Sequence, residues 1–243
     1  MKKCQEGQYF SAIARQNARG KVTVIPDIKC VSPKVGPLLR DRDPATVARQ
    51  FISYGATALS VVTETEHFGG SLALLRTVSK SVDVPILCKD FITDVEMLAE
   101  TKKNGASAVL LICAINQTDN LLTLCEKALS LGLETVVEVH SKEEMLLARS
   151  LSTRIIGINN RNIKELEKDG GGPQMTASLA PYAPQGVLLI SESGITSPAD
   201  VRTAVKAKAN AVLVGTYLWQ ADNIELAYKS LCIERNNENE TEN

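Results

Sequence analysis

The feature that most constrains this chain is a regular alternation. Short apolar, β-branched runs recur eight times, each followed by a segment with helical spacing. The runs are VTVIPDIK (22–29), ALSVVTE (58–64), VPILCKDFI (84–92), SAVLLICAI (107–115), ETVVEVH (134–140), RIIGINN (154–160), GVLLISESG (186–194) and AVLVGTYL (211–218). Several are apolar nearly throughout, as strands covered on both faces by helices must be. Helix start signals lie between them. Asp43-Pro44 opens a helix with Val47, Phe51 and Ile52 on one face and Gly55 past its end; Ser141 to Glu144 forms a capping box; Ser197-Pro198 sets an N-cap before a first-turn proline. Eight βα units in 243 residues predict a (β/α)8 TIM barrel, an α/β fold, with a doubly wound open sheet as the alternative. The segment QYFSAIARQNA, residues 8–18, predicts a short extra N-terminal helix. No linker or composition shift divides the chain. The expectation is one barrel domain over residues 1–233 and a disordered polar tail over 234–243, ERNNENETEN.

A formal net charge of -1 gives no long-range attraction to nucleic acid or to an anionic membrane, so neither is an expected partner. No apolar run approaches the roughly 18 residues of a membrane span, and MKKCQEGQYFSAIARQ lacks a continuous apolar stretch of the kind that leads a protein to export. A cytoplasmic monomer is expected. The six cysteines form no C-x-x-C pair, and Cys88 and Cys113 sit inside apolar runs, so reduced and mostly buried thiols are expected. With only His67 and His140 present, and no ligand spacing, no metal site is expected.

In a TIM barrel the active site lies at the C-terminal ends of the strands. There the runs offer Asp27 and Lys29, Thr63 and Glu64, Lys89 and Asp90, Glu138, Asn159 and Arg161, Glu192 to Gly194, and Gly215 with Thr216. So many charges on otherwise apolar strands need one another, water or a ligand, because each costs several kcal/mol if buried alone. Glu64 and Asp90 read as structural partners, and His140 as a helix-side or loop residue. Ser193-Gly194 and Gly215-Thr216 put small residues after the last two strands, where backbone N–H groups approach an anion unobstructed. That spacing favours a phosphate site over simple turn-making.

Taken together, IKCVSP (28–33), ILCKDFI (86–92), VLLI (109–112), VVEV (136–139), IGINNRN (156–162), SESGI (191–195) and LVGTYL (213–218) resemble the indole-3-glycerol phosphate synthase family, in its order and spacing. The resemblance runs from about residue 22 to 220. It implies a cofactor-free carbon–carbon lyase of tryptophan biosynthesis. Such an enzyme cyclises 1-(2-carboxyphenylamino)-1-deoxyribulose 5-phosphate to indole-3-glycerol phosphate and releases carbon dioxide and water. By the same resemblance Lys89 is the acid that polarises the sugar carbonyl, Glu138 the carboxylate for proton transfer, and Lys29 the lysine that assists anion binding and dehydration. Asn159 and Glu192 orient hydroxyls and lysines, and Asp27 completes the catalytic set. Arg161 meets the anthranilate carboxylate, and Phe68 and Phe91 pack on the aromatic ring. Ser32, Ser193, Gly194, Gly215 and Thr216 hold phosphate. The chain departs from the family in having Asp27 for glutamate, Asn162 for aspartate, and a glycine-rich loop, EKDGGGPQ, at 167–174.

Two other readings compete. A phosphoribosyl isomerase on the same barrel would need a cysteine base after the first strand, but Cys30 follows Lys29 by one and alternation turns it away. A non-catalytic sugar-phosphate binder would have no use for Lys29, Lys89 and Glu138 together.

Overall fold

The computed structural model of the protein describes residues 7–161 and 171–235. Cys4, Asn162, residues 167–170 of the glycine-rich loop and residues 236–243 of the tail lie outside the described residues. Eight parallel strands close a barrel: β1 (Thr23–Ile28), β2 (Leu59–Val62), β3 (Ile86–Lys89), β4 (Ala108–Ile112), β5 (Glu134–Val139), β6 (Ile155–Asn159), β7 (Leu188–Glu192) and β8 (Ala211–Val214). Each pairs with its sequence neighbours, and β8 closes on β1 from Thr23↔Ala211 to Pro26↔Val214. The helices are α1 (Gln8–Ala18), α2 (Pro44–Ser53), α3 (Leu72–Ser79), α4 (Val95–Lys103), α5 (Thr118–Ser130), α6 (Lys142–Ala148), α7 (Gln174–Leu179), α8 (Pro198–Lys206), α9 (Thr216–Gln220) and α10 (Ile224–Leu231). A two-stranded hairpin, Val31–Ser32 with Gly36–Pro37, follows β1.

The pleat sorts the strand residues into two layers. Val24, Ile28, Val61, Cys88, Val109, Val137, Ile156, Leu189 and Val212 face outward and pack under the helices. Ile25, Leu87, Leu110, Val136, Ile155, Ile190 and Leu213 face inward and fill the barrel. Tyr9, Phe10 and Ile13 of α1 join this inner cluster, so the extra helix stops the N-terminal end of the barrel. Glu134 fastens it: its carboxylate accepts from the N–H groups of Tyr9 at 2.6 Å and Phe10 at 3.0 Å. Gly7 is required before this helix, because a Cβ there would lie 1.9 Å from the Glu134 carboxyl carbon.

Side-chain caps start the outer helices where the sequence placed them. Asp43 accepts from Thr46 N–H, Ser141 from Glu144 N–H and Ser197 from Asp200 N–H, and Ser71, Asp94 and Asn223 cap α3, α4 and α10. Each cap contributes about 1 kcal/mol. The box at α6 is shifted, since the Glu144 carboxylate reaches the N–H of His140 at 2.7 Å rather than that of Ser141.

Three runs end sooner than their apolar character predicts, the fourth because Cys113–Ile115 is a 3-10 turn. Residues 90–92 leave β3 as loop, where Asp90 turns to accept from the Phe91 N–H. The eighth run breaks at Gly215, and Thr216–Gln220 is helical, burying Leu218 and Trp219. The indole N–H of Trp219 donates to the Asp27 carbonyl at 2.8 Å, which ties this helix to the end of β1. At the C-terminus Glu234 bridges to Lys21, and the Arg235 N–H donates to the Gly20 carbonyl, so ordered contacts continue through residue 235.

Candidate active site

The inward positions that end the strands converge on two adjoining clefts at the C-terminal mouth. The first, of about 590 Å³, is lined by Asp27, Lys29, Phe68, Lys89, Phe91, Glu138, Asn159, Arg161 and Ser193 over a floor of Leu110 and Ile112. The second, of about 970 Å³, carries Lys34, Gly194, Gly215, Thr216, Tyr217 and Gln220. Asp27, Lys29, Lys89, Arg161 and Ser193 line both.

Lys89 is the electrostatic centre. Its Nζ lies 2.9 Å from Glu192 Oε2, with side-chain exposures of 16% and 0%. Burial alone would push this ammonium toward the neutral form, but the carboxylates of Glu192, Glu138 and Asp27 outweigh it and hold the lysine above its usual value. Glu192 is driven the other way from a normal acid. Burial, helped by the like charges of Glu138 and Asp27, raises it to about 7 against the pull of Lys89. Its carboxylate sits in space left by Gly157, where a Cβ would meet Oε1 at 2.0 Å. Glu192 lines neither cleft.

Glu138 is as deeply buried, yet burial does not win there. Contact with His140, the charge of Lys89 and a hydrogen bond from Asn159 hold it below the usual carboxylate range. His140 Nε2 lies 3.2 Å from Glu138 Oε1, and His140 Nδ1 lies 3.3 Å from Glu144 Oε2. Burial lowers the imidazole's affinity for a proton, but these two carboxylates prevail and raise it to about 9. His140 is a loop residue, as read, in the bend between β5 and α6; what that reading did not foresee is that its ring faces Glu138.

Phe68 and Phe91 meet on one side of the first cleft. The Phe68 and Phe91 rings stand edge to face at 6.5 Å, and Lys29 Nζ lies 5.5 Å from the Phe68 centroid. Behind them Glu64 accepts from the N–H groups of Glu66, His67 and Phe68, closing that loop. Glu64, Glu66 and His67 are also the group among the described residues compact enough for a cation, but Glu64 is already engaged by backbone. Asp90 accepts from the Thr63 hydroxyl at 2.6 Å, and it lines the first cleft along with Glu64.

Ser32, a strand residue of the hairpin itself, is buried and lines neither cleft. Cys30 packs against the outer core, which leaves the isomerase reading without its base. At the end of β7, Ser193 and Gly194 both take positive φ, 65° and 67°. Asn160 imposes this turn. Its Nδ2 donates to Ser191 Oγ and to the carbonyls of Glu192 and Ser193, and its Oδ1 accepts from Thr176. A Cβ on Gly194 would lie 2.8 Å from the Gly172 nitrogen, so glycine is needed for the two segments to meet. Sequence reasoning missed Asn160, His140 and Lys34. Alternation from Glu138 would have found His140, and Lys34 stands beside Ser32-Pro33 in the same motif.

Comparison with known proteins agrees with this geometry. A family model described as indole-3-glycerol phosphate synthase matches residues 2–231. The indole-3-glycerol phosphate synthase of Kineococcus radiotolerans is 44% identical over 210 residues, covering 86% of this chain and 76% of that protein. Those of Pyrococcus abyssi and Pyrococcus furiosus are 40% and 42% identical, covering 86% and 84% of this chain and 91% and 88% of theirs. This chain belongs to the indole-3-glycerol phosphate synthase family.

Proposed function

We propose that this protein converts 1-(2-carboxyphenylamino)-1-deoxyribulose 5-phosphate to indole-3-glycerol phosphate, with Lys89 as the acid of ring closure. The observation that carries this reading is the junction of the two clefts. The substrate has an aromatic half and a sugar-phosphate half, and the new carbon–carbon bond forms between them. The residues common to both clefts include Asp27, Lys29, Lys89 and Arg161, so the charged groups cluster where that bond would form.

Phe68, Phe91, Leu110 and Ile112 take the aromatic ring, and Arg161 takes its carboxylate. Lys29, Ser193, Gly194, Gly215 and Thr216 take the phosphate, joined by Lys34. Ser32, buried within the hairpin, fixes the turn that carries Lys34 to that cleft. As the ring carbon attacks the ketone, Lys89 gives a proton to the developing alkoxide, a step a preorganised buried cation accelerates. Carbon dioxide then leaves and the ring regains aromaticity. The hydroxyl departs as water with Lys29 assisting, while Glu138, held by Asn159, takes the proton from the adjoining carbon. Glu192 positions Lys89, and Asp27 sets the field around both lysines. No cofactor enters these steps.

Among the described residues no helix is long and apolar enough to cross a membrane. The reading has a cytoplasmic monomer working on a diffusible substrate. Incubation of the purified protein with the substrate should produce indole fluorescence, and its absence would sink the assignment. Gly215→Val, which adds bulk 3.4 Å from Asp27 and beside Lys29, should raise KM strongly. Inorganic phosphate should compete with substrate.

A further inference from the structure

An acid and a base in one dry cleft face a specific hazard. A lysine ammonium and a glutamate carboxylate placed together attract strongly at low effective dielectric, and a direct pair would lock both away from substrate. Lys89 and Glu138 line the same cleft, yet no ion pair joins them. Each has its own counter-ion instead: Glu192 holds Lys89 at 2.9 Å, and His140 faces Glu138 at 3.2 Å. Resting on the reading of Lys89 as acid and Glu138 as base, we propose that His140 is a positioning residue, backed by Glu144, that keeps Glu138 ionised and apart from Lys89.

The geometry suits this role. Glu138 Oε1 and His140 Nε2 are both buried and have no hydrogen-bond partner, so at 3.2 Å each is the other's available electrostatic contact. The imidazole is fixed from behind, because Glu144 Oε2 accepts from the His140 backbone N–H at 2.7 Å and faces Nδ1 at 3.3 Å. Side-chain exposure rises outward along this row, from 2% at Glu138 to 14% at His140 and 22% at Glu144. The cation is thus held next to the deepest carboxylate, and its second counter-ion sits nearer water. Cys113, in the turn after β4, also feels Glu144 and Glu138, but its thiol is pushed up to about 12 by burial and by those charges, so it adds no competing charge at neutral pH. The flat ring lies between two carboxylates and meets one with each nitrogen.

Two experiments test this. In the first, kcat and KM are measured against pH for wild type, His140→Gln and Glu144→Gln. His140→Gln should lower kcat on the order of tenfold with KM within about twofold, and shift the acid limb of the profile upward by about one pH unit as Glu138 loses its cation. Glu144→Gln should do the same more weakly. A His140→Gln profile superimposable on wild type would overturn the proposal. The second needs no activity. The chain has two histidines, His67 and His140, so imidazole proton resonances are readily followed through a titration. His140 should titrate near pH 9 in wild type and markedly lower in Glu138→Gln. Titration near the ordinary 6.5 in both proteins would overturn the pairing. Wild type that shows the coupled titration but makes no indole product would remove the proposed reaction and leave the Glu138–His140 pair standing.

Discussion

Glu134 and Glu138 lie four residues apart on the same strand, at opposite ends of the barrel, and the environment assigns them opposite jobs. Glu134 spends its two oxygens on the first N–H groups of α1. Glu138 keeps Oε1 without a hydrogen bond, in a cleft. Their acidities diverge accordingly. Burial raises Glu134 despite the N–H donors and Arg154, whereas Glu138, though buried more deeply, is lowered by His140 and Lys89. Burial therefore does not decide which carboxylate is poised for chemistry. The partners do: both Glu134 oxygens accept an N–H, whereas Asp27 Oδ1, Glu138 Oε1 and Glu192 Oε1 at the mouth have no hydrogen bond.

The sharpest way to break this contrast is Lys89→Met. Turnover should fall by about two to four orders of magnitude, the range for losing a general acid and a positioned charge. The fold should lose stability too, because Glu192 is left in the barrel without its cation. That loss should be greater above pH 7 than below it, since Glu192 is already raised to about 7 and can take up a proton. The double variant Lys89→Met/Glu192→Gln should recover stability without activity, measured by denaturant unfolding beside steady-state kinetics. Near wild-type turnover in Lys89→Met would remove the lysine from its role.

The mouth should also govern how stability depends on pH. His140 is raised from its ordinary value of about 6.5 to about 9, so its contribution is fully present below pH 6.5 and fades as pH rises through 9. At about 1.4 kcal/mol per unit this amounts to at most about 3–4 kcal/mol. Urea unfolding should show wild type losing stability across that window relative to His140→Gln. Parallel curves would mean that the imidazole is not held as a cation.

Most of the architecture was legible because it rests on local rules. The short, nearly continuous apolar runs located all eight strands, and the first helix follows its predicted span, residues 8–18. What escaped was set by distant partners. Nothing in AVLVGTYL announces that Trp219 will reach back to the Asp27 carbonyl and draw the segment into a helix. Asn160 looks like an ordinary polar residue after a strand until Ser191, Ser193 and Thr176 arrive from elsewhere in the chain. The charged residues of the mouth were legible as a set, since a charge at the end of an apolar strand is costly wherever it occurs. Their division into separate ion pairs was not, because Lys89 and Glu192 are 103 residues apart.

At the closed end the expected effect is moderate and purely structural. Glu134→Ala removes two hydrogen-bond acceptors from the start of α1 and should cost about 1–3 kcal/mol of stability. Activity per folded molecule should stay unchanged. A fall in kcat at full folding would show that the two ends are coupled through α1, a possibility given weight by Tyr9, whose buried hydroxyl feels the charges of Glu192 and Asp27.

The smallest effect is expected at Asp27, where the family resemblance implies a glutamate, longer by one methylene. The carboxylate lines both clefts, and its field reaches Lys89 and Glu192. Its Oδ1 is buried without a hydrogen bond, which suggests a side chain stopping short of its partner. Lengthening it would carry the charge toward the lysines at the junction of the clefts, and displacements of about 1 Å can change rates up to about a hundredfold. Only part of that is available here, because Lys29 and Lys89 are already in place and Gly215 leaves the room: even a Cβ there would only touch Asp27, at 3.4 Å. Asp27→Glu should therefore raise synthase turnover by about three- to tenfold, and Asp27→Asn should lower it, on the same substrate and at the same pH. If both variants lose activity alike, aspartate is the fitted length in this cleft. The polar surplus at the mouth would then be tuned to a substrate shaped differently from the family's own.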